Sequence, residues 1–426
     1  MTQQRSKIFI ACVGNLFEHY DTALFGFLSP FLASLFFAQQ DPLTALIFIY
    51  ALIPLGVLAK PLGSIVFGYI GDKHGRENAL LLSFISMAVI TFCMAFLPTF
   101  QQVGVLAPLL LALGRVLQNF LAAGETMGGA IYLLEQSDKK DHGLLSGIYN
   151  ASSIAGILLA SVGVSLLHYL DALENGWRLL YLLGGFTALA GVILRKTATQ
   201  PPAERSFGES PFKTIQNILQ VFQAHVGILL NIALAAGFSY ATYTISLVML
   251  NGFIPLFTEF TQAQMSALNT FLLVIDLIAL PLFGWISSKV SRERMMLVAT
   301  LLTVVTAIPC FDFFSESSFW LIVLMRVWFV LLGVVFFAPY HAWAQGMVPQ
   351  SHRYLLVSFG YTLGSQLFGG PTAAFSLWCY QTTGIVSSAA WYWLALGCAS
   401  GMAILWHYLL LYKPSVMGYF KLKINK

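Results

Sequence analysis

Seven charged side chains stand inside long apolar runs of this chain: Glu18, Asp21, Lys60, Arg115, Glu125, Asp276 and Arg326. A charge facing hydrocarbon costs roughly 2.5–3.5 kcal/mol even on the mildest scale. These residues are therefore expected to face one another or a wet cavity, and four acids against three bases make pairing feasible. Glu18 and Asp21 are three apart and share one face of a helix. Two acids packed that closely cannot both ionise cheaply, so one is expected to carry a proton near neutral pH. Glu125, among the small residues of AAGETMGGA, is a further proton-carrier candidate. Asp276, isolated in VIDLIAL, is another, with pairing to Arg326 equally open. For every acid the alternative is a structural ion pair or a helix–helix hydrogen bond.

The bases suggest binding chemistry. Arg115 and Asn119 are four apart and share a face. Arginine offers a planar fork that matches a carboxylate, so Arg115 is expected either to anchor a substrate carboxylate or to partner an acid of the first helix. Arg326 could do the same from the second half of the chain. Lys60, His19 and His341 complete the set of substrate-binding candidates, each with a purely structural alternative. His341 lies in FAPYHAWAQ beside Tyr340 and Trp343, aromatics that could cage a betaine-like cation.

The elements that must position these groups follow from composition. Hydrophobic residues make up 58% of the 426 residues and charged residues only 9%. An ordinary soluble domain is about a quarter charged, so the chain lacks the polar cover a soluble fold needs and reads as a polytopic membrane protein. The net charge of +4 is spread over short loops, which argues against nucleic acid as a partner. The five cysteines fall in apolar runs without a CxxC pair and form no disulfide or metal framework. The first apolar run contains Glu18 and Asp21 and reads as a retained span, not a cleaved signal. No HExxH, GxSxG or phosphate-loop pattern is present, so no enzyme, metal site or cofactor is expected beyond a proton gradient.

Twelve runs are long enough to cross about 30 Å of hydrocarbon as helices. They cover approximately 8–36, 44–70, 79–98, 104–134, 144–168 and 177–195, then 224–256, 266–288, 295–314, 318–347, 353–383 and 390–412. With the N-terminus in the cytoplasm, every lysine and arginine except Lys60, Arg115, Arg178 and Arg326 falls on the cytoplasmic side, which fixes orientation and supports an even span count. A polar stretch at 196–213 divides the spans six and six. The expected domains are thus 1–195, a linker at 196–223 and 224–426 with a short cytoplasmic tail. Ser210 and Pro211 read as the start of a short amphipathic helix lying in the membrane interface.

The stretch GYIGDKHGRE at 68–77 has a worn copy, GWISSKVSRE, at 284–293, offset by 216 positions. An Arg-Val pair recurs at 115–116 and 326–327, offset by 211. Two echoes at nearly one offset, with six spans on each side, indicate a parallel internal repeat. The fold expected is all-α: twelve transmembrane helices in two pseudo-symmetric six-helix domains.

GYIGDKHGRE closely resembles the signature loop between helices 2 and 3 of the major facilitator superfamily. That resemblance implies a cytoplasmic gate at Gly68, Asp72, Lys73, Gly75 and Arg76, which latches as the halves rock; a topology-setting charge cluster is the alternative. In such a loop Asp72 would accept from helix N-terminal amides and pair with Arg76. GNLFEHYD at 14–21, KPLGSIVFG at 60–68, GRVLQNFLAAGE at 114–125, NGWR at 175–178 and VPQSHRYLLVSFGYTLGSQLFGGP at 348–371 are similar to the metabolite:proton symporters of that superfamily, whose members carry proline/betaine, shikimate, 2-oxoglutarate or citrate. The chain departs from that group at His19, Thr22, Lys60 and Asn119, where the family usually has Trp, an aromatic, Arg and Gly. Substrate identity therefore does not carry over. The chain also ends soon after the twelfth run, without the C-terminal coiled coil of osmosensing relatives.

The resemblance implies alternating access around a central polar cavity and proton-coupled uptake of a small carboxylate or zwitterion by a monomer in a bacterial inner membrane. Proton-driven export of small molecules is the alternative within transport, and a non-transporting metabolite sensor the alternative outside it.

Overall fold

The computed structural model describes residues 2–37, 42–185, 211–256, 258–314 and 318–412. Eight stretches among them are helical, long and apolar enough to cross a bilayer. The long helices α1 (Thr2–Phe36) and α2 (Pro42–His74) and the helical run 353–383 fill three more of the expected positions. The sixth expected span begins as α7 (Leu173–Gly184), and its last residues lie outside the described set, as do Ser210 and most of the linker. The rest of the first half is α3 (Arg76–Ala95), α4 (Leu106–Thr126), α5 (Gly128–Glu135) and α6 (His142–Tyr169). After α8 (Pro211–Ala224) come α9 (Val226–Tyr243), α10 (Gln262–Ser287), α11 (Arg292–Phe313) and α12 (Phe319–Phe337). The chain then forms α13 (Tyr340–Gly346), α14 (Arg353–Leu363), α15 (Thr372–Thr383) and α16 (Trp391–Tyr412).

The long helices turn an apolar stripe outward. On α10 the exposed apolar residues are Phe271, Val274, Ile278, Leu282 and Trp285, at helical spacing, with Ile278 68% exposed. A stripe of that size has only hydrocarbon as a plausible solvent. The opposite stripe of the same helix buries Leu272, Leu273, Asp276, Ala279 and Leu280. On α8, Ile215 and Leu219 are exposed while Phe222 stacks on Phe359 at 4.6 Å.

The two halves meet along two seams. On one, α6 lies against α10: a Cβ on Gly147 would fall on Leu280 O, and one on Gly284 would come within 2.7 Å of Gly143 O. Ser146 donates to Ala338 O at 2.6 Å beside it. On the other, α2 lies against α14, where a Cβ on Gly68 would sit 2.7 Å from Leu355 Cα. There Thr362 donates to Ser64 at 2.9 Å, and Tyr354 donates to Gly124 O at 2.7 Å. Small residues are what permit such backbone approach in lipid, where apolar burial gives helices no reason to associate.

Two helices of the second half contain wide π-helical turns, Thr244–Met249 after α9 and Gly364–Gly369 after α14. Such turns re-aim side chains and concentrate at functional sites.

Candidate functional site

Between the halves lies a cavity of about 540 Å³. Its first-half wall is built mainly by α1, which presents Asn15, Glu18, His19, Thr22 and Gly26 at helical spacing, with Lys60 from α2, Arg115 and Asn119 from α4 and Asn150 from α6. Its second-half wall carries Tyr240, Tyr243, Ser246, Asp276, His341, Tyr361, Ser365 and Gln366. Ser246, Ser365 and Gln366 belong to the two π-helical turns.

Glu18 is 1% exposed and joins two partners. Lys60 Nζ donates to its Oε1 at 3.1 Å, and His19 Nδ1 lies 2.8 Å from its Oε2 without hydrogen-bond alignment. His19 Nδ1 also lies 3.0 Å from Asn15 O.

Arg115 has no carboxylate within 4.0 Å among the described residues. Its guanidinium donates to Gln118 Oε1 at 2.8 Å and stacks 4.1 Å from the centroid of Phe25. Gln118 in turn donates to Thr91 at 3.1 Å, and the Thr91 hydroxyl donates to Asp21. Asp21 therefore turns away from the cavity towards α3 and reaches Arg115 only through two neutral side chains. Sequence reasoning missed Thr91 and Gln118, and no sequence signal marks either. Asn119 lines the cavity but spends its amide N–H on Arg115 O at 2.9 Å.

Glu125 is also withdrawn from the cavity. Both carboxylate oxygens are buried without a hydrogen bond, and the neighbouring Ser83 hydroxyl donates to Leu121 O instead. Asp276 does reach the cavity and does not pair with Arg326. Arg326, expected as a substrate-binding cation, is fully buried and outside the cavity wall. It donates to Ser246 O at 3.0 Å, Asn251 Oδ1 at 2.7 Å and Asn269 Oδ1 at 3.2 Å, so carbonyl dipoles solvate it in place of an acid. The expected cage around His341 is corrected too: Tyr340 and Trp343 are packed in the core, away from the cavity. The aromatics that reach it are Phe25, Phe27, Tyr149, Tyr240, Tyr243, Phe337 and Tyr361. Their register was not visible in a chain that is 14% aromatic.

His341 bridges the halves. Asn150 donates its amide N–H to Phe337 O at 2.9 Å, which leaves its Oδ1 facing His341 Nε2 at 2.6 Å. That arrangement assigns the proton to Nε2.

Beyond this bridge the cavity is closed at the end that carries the basic loops. Asp72 accepts from Arg76 and from the backbone N–H groups of Tyr354 (3.1 Å) and Leu355 (2.8 Å) in the first turn of α14. An anion at a helix N-terminus is favoured by the orphan amides there. Arg76 also pairs with Glu135 at 3.1 Å, and Glu135 reaches across the halves to Arg353 at 2.8 Å. Gly68 and Gly71 let α2 touch Leu355 and Tyr354, and Gly75, at φ 96°, makes the turn. Lys73 donates to Tyr69 at 2.8 Å, one turn back on its own helix. Glu135 and Arg353 were missed by sequence reasoning, because nothing in the motif points to residues 59 and 277 positions further on. The repeat copy cannot do the same: Ser288 stands for Asp72 and, at the 211 offset, Gly346 for Glu135. Arg292 there donates to Ala342 O at 3.2 Å.

A helical membrane body in two halves, with ionisable groups lining an enclosure between them and an ionic latch across one end, is the architecture of a solute carrier. The Major Facilitator Superfamily profile matches residues 11–273, and the chain belongs to that superfamily. A protein of Staphylococcus haemolyticus named as a proline/betaine transporter is 28% identical over 407 residues, covering 92% of this chain and 85% of its own. The citrate-proton symporter of Salmonella typhi is 29% identical over 406 residues, 92% of this chain and 90% of its own. Among solved structures, the proton:xylose symporter XylE bound to 6-bromo-6-deoxy-D-glucose superposes with a TM-score of 0.72 at 15% identity, covering 96% of each chain. The human organic anion transporter MFSD10 gives 0.68 at 13% identity, covering 94% of this chain and 99% of its own. At such identities the structures establish the fold alone. Relatives and fold are those of membrane transporters, not of enzymes.

Proposed function

We propose that this protein is a proton-coupled symporter that imports a small carboxylate or zwitterionic metabolite across a bacterial inner membrane by alternating access. The observation that carries the proposal is the shared use of Lys60. Its ammonium is held by Glu18, one of the two acids that line the wall among the described residues. A proton on Glu18 removes the charge that holds Lys60, and the freed ammonium, with Arg115, takes the substrate carboxylate. A carboxylate arriving without a proton must compete with Glu18 for the same cation. That competition links the two passengers without requiring contact between them. The loaded cavity carries less unpaired charge than either half-loaded state, which makes it the cheapest to reorient through lipid. One net positive charge moving inward also gains about 2.3 kcal/mol per 100 mV of membrane potential.

In this reading the basic end is cytoplasmic, both termini lie there, and the closed latch leaves the cavity available to the opposite side. The halves are 1–195 and 224–426, joined through 196–223, and a single chain suffices without a cofactor. The names of the relatives make proline, betaine and citrate the first compounds to try.

The test is radiolabelled uptake into proteoliposomes with and without an imposed pH gradient. Wild-type protein should accumulate substrate uphill, and acid outside should drive it. Glu18→Gln should abolish uphill accumulation while counterflow exchange persists. Undiminished proton-driven accumulation by Glu18→Gln would remove this carboxylate from the coupling. Efflux driven by inward proton flow would replace import by antiport.

A further inference from the structure

Asp276 differs from the other buried acids among the described residues. It is 7% exposed and lines the cavity, yet it has no hydrogen bond and no ion pair among the described residues. Glu18, the other acid of the wall, is engaged by Lys60 and His19. Its own helix offers Asp276 nothing: Leu272, Leu273, Ala279 and Leu280 surround it on the buried stripe of α10. Tyr243 is within electrostatic reach of it and, with Tyr240, lines the same cavity. A largely buried carboxylate that faces a cavity without a partner is stabilised when a cation is brought to it.

Across the cavity stands a complementary group. Among the described residues Arg115 has no direct carboxylate contact, and its fork is held by Gln118 and the Phe25 ring. Among the described residues, the cavity walls therefore hold a cation without direct carboxylate contact on the first half and an acid without a cation on the second.

We infer that Asp276 is a cation subsite, with Tyr240 and Tyr243 as its aromatic flank, and that the carrier selects substrates bearing a positive nitrogen as well as a carboxylate. The inference rests on the reading of this cavity as the transport site. A dicarboxylate would satisfy Arg115 and Lys60 but set its second charge against Asp276. A monocarboxylate would leave Asp276 uncompensated. A zwitterion satisfies both walls, and the tyrosine faces suit an alkylated ammonium, which is held by ring quadrupoles as well as by charge. A volume of about 540 Å³ falls in the usual range for small-molecule sites and fits an amino-acid-sized solute with some water. Because the two ends of such a substrate are gripped by different halves, binding itself draws the halves together. Asp276 thus ceases to be a proton-carrier candidate and becomes a specificity-determining residue.

Carbon isosteres isolate the positive nitrogen. 3,3-Dimethylbutyrate has the shape of glycine betaine, and cyclopentanecarboxylate that of proline, but neither carries the cation. Competition binding to purified full-length protein should favour at least one zwitterion over its isostere by about 10- to 100-fold, the range of a hydrogen bond or contact to a charged group. Asp276→Asn should reduce that ratio to about threefold or less, with isostere affinity unchanged or improved. Asp276→Glu, which restores the charge, should keep the preference, and thermal unfolding of all three proteins checks that each is folded. Equal binding of zwitterion and isostere by the wild type, or preference for a dicarboxylate, would overturn the inference and leave proton-coupled uptake standing. An Asp276→Asn protein that keeps the ratio but loses uphill accumulation would return Asp276 to the proton pathway and overturn it as well. Absence of proton-driven uptake of any of these compounds would instead remove the parent reading.

Discussion

At the scale of single residues, the two cations of the first-half wall differ in kind. Lys60 is a point charge shared with Glu18, whereas Arg115 is a fork fixed by Gln118 and Phe25. Arg115→Lys keeps the charge and loses the fork, so it should raise the KM for uptake by about 10- to 100-fold with little change in thermal stability. A KM within about threefold of wild type would show that charge alone suffices. The inward placement of all seven charges was legible in the sequence, because lipid leaves them no other place. Their partners were not. Asp21 reaches Arg115 through Thr91 and Gln118, and Arg326 rests on Asn251 and Asn269. Those contacts depend on how helices distant in sequence are juxtaposed, and uncharged polar residues inside apolar runs carry no periodic signal that singles them out.

At the scale of helices, the long helices among the described residues lie close to the spans that hydropathy gives, since length and apolarity are what a bilayer demands; the end of the sixth lies outside those residues. It could not locate the π-helical turns, because TISLVM and GSQLFG continue the pattern of their neighbours while the backbone widens. The glycines are more informative. A side chain at Gly147 would collide with Leu280 O and Gly284 Cα, so Gly147→Val should hold α6 away from α10 and prevent closure of the basic end. In a background without native cysteines, Ser64→Cys is buried under the opposite seam and reports that closure. Its alkylation rate should rise at least about tenfold when Gly147→Val is added, as expected for a shift of about 1.4 kcal/mol or more between states. An unchanged rate would mean that the α6–α10 contact is not part of the closing motion.

At the scale of the whole molecule, the sequence repeat announced a helical body in two halves and two of the charged residues that meet at its basic end. Asp72 and Arg76 could be read from their motif, but Glu135 and Arg353 had to be seen in space. The repeat also concealed an inequality, because its second copy has lost both acids, at Ser288 and Gly346. Among the described residues the ion pair that crosses the halves, Glu135 of α5 to Arg353 of α14, therefore sits beside the α2–α14 seam, while α6 meets α10 by glycine packing and the end of α12 by neutral hydrogen bonds from Ser146 and Asn150. Salt weakens the first kind of contact and leaves the second nearly untouched, the Debye length falling from about 10 Å at 0.1 M to about 3 Å at 1 M. Alkylation of the Ser64→Cys reporter should accelerate with ionic strength, and Glu135→Gln should both accelerate it and flatten its salt dependence; a slope preserved in Glu135→Gln would place the sensitive contact elsewhere. If the carrier opens towards the basic side, both seams must part, the ion-paired one against charge and the other against packing alone. A covalent tie across either seam should therefore stop turnover, and cleaving the tie should restore it.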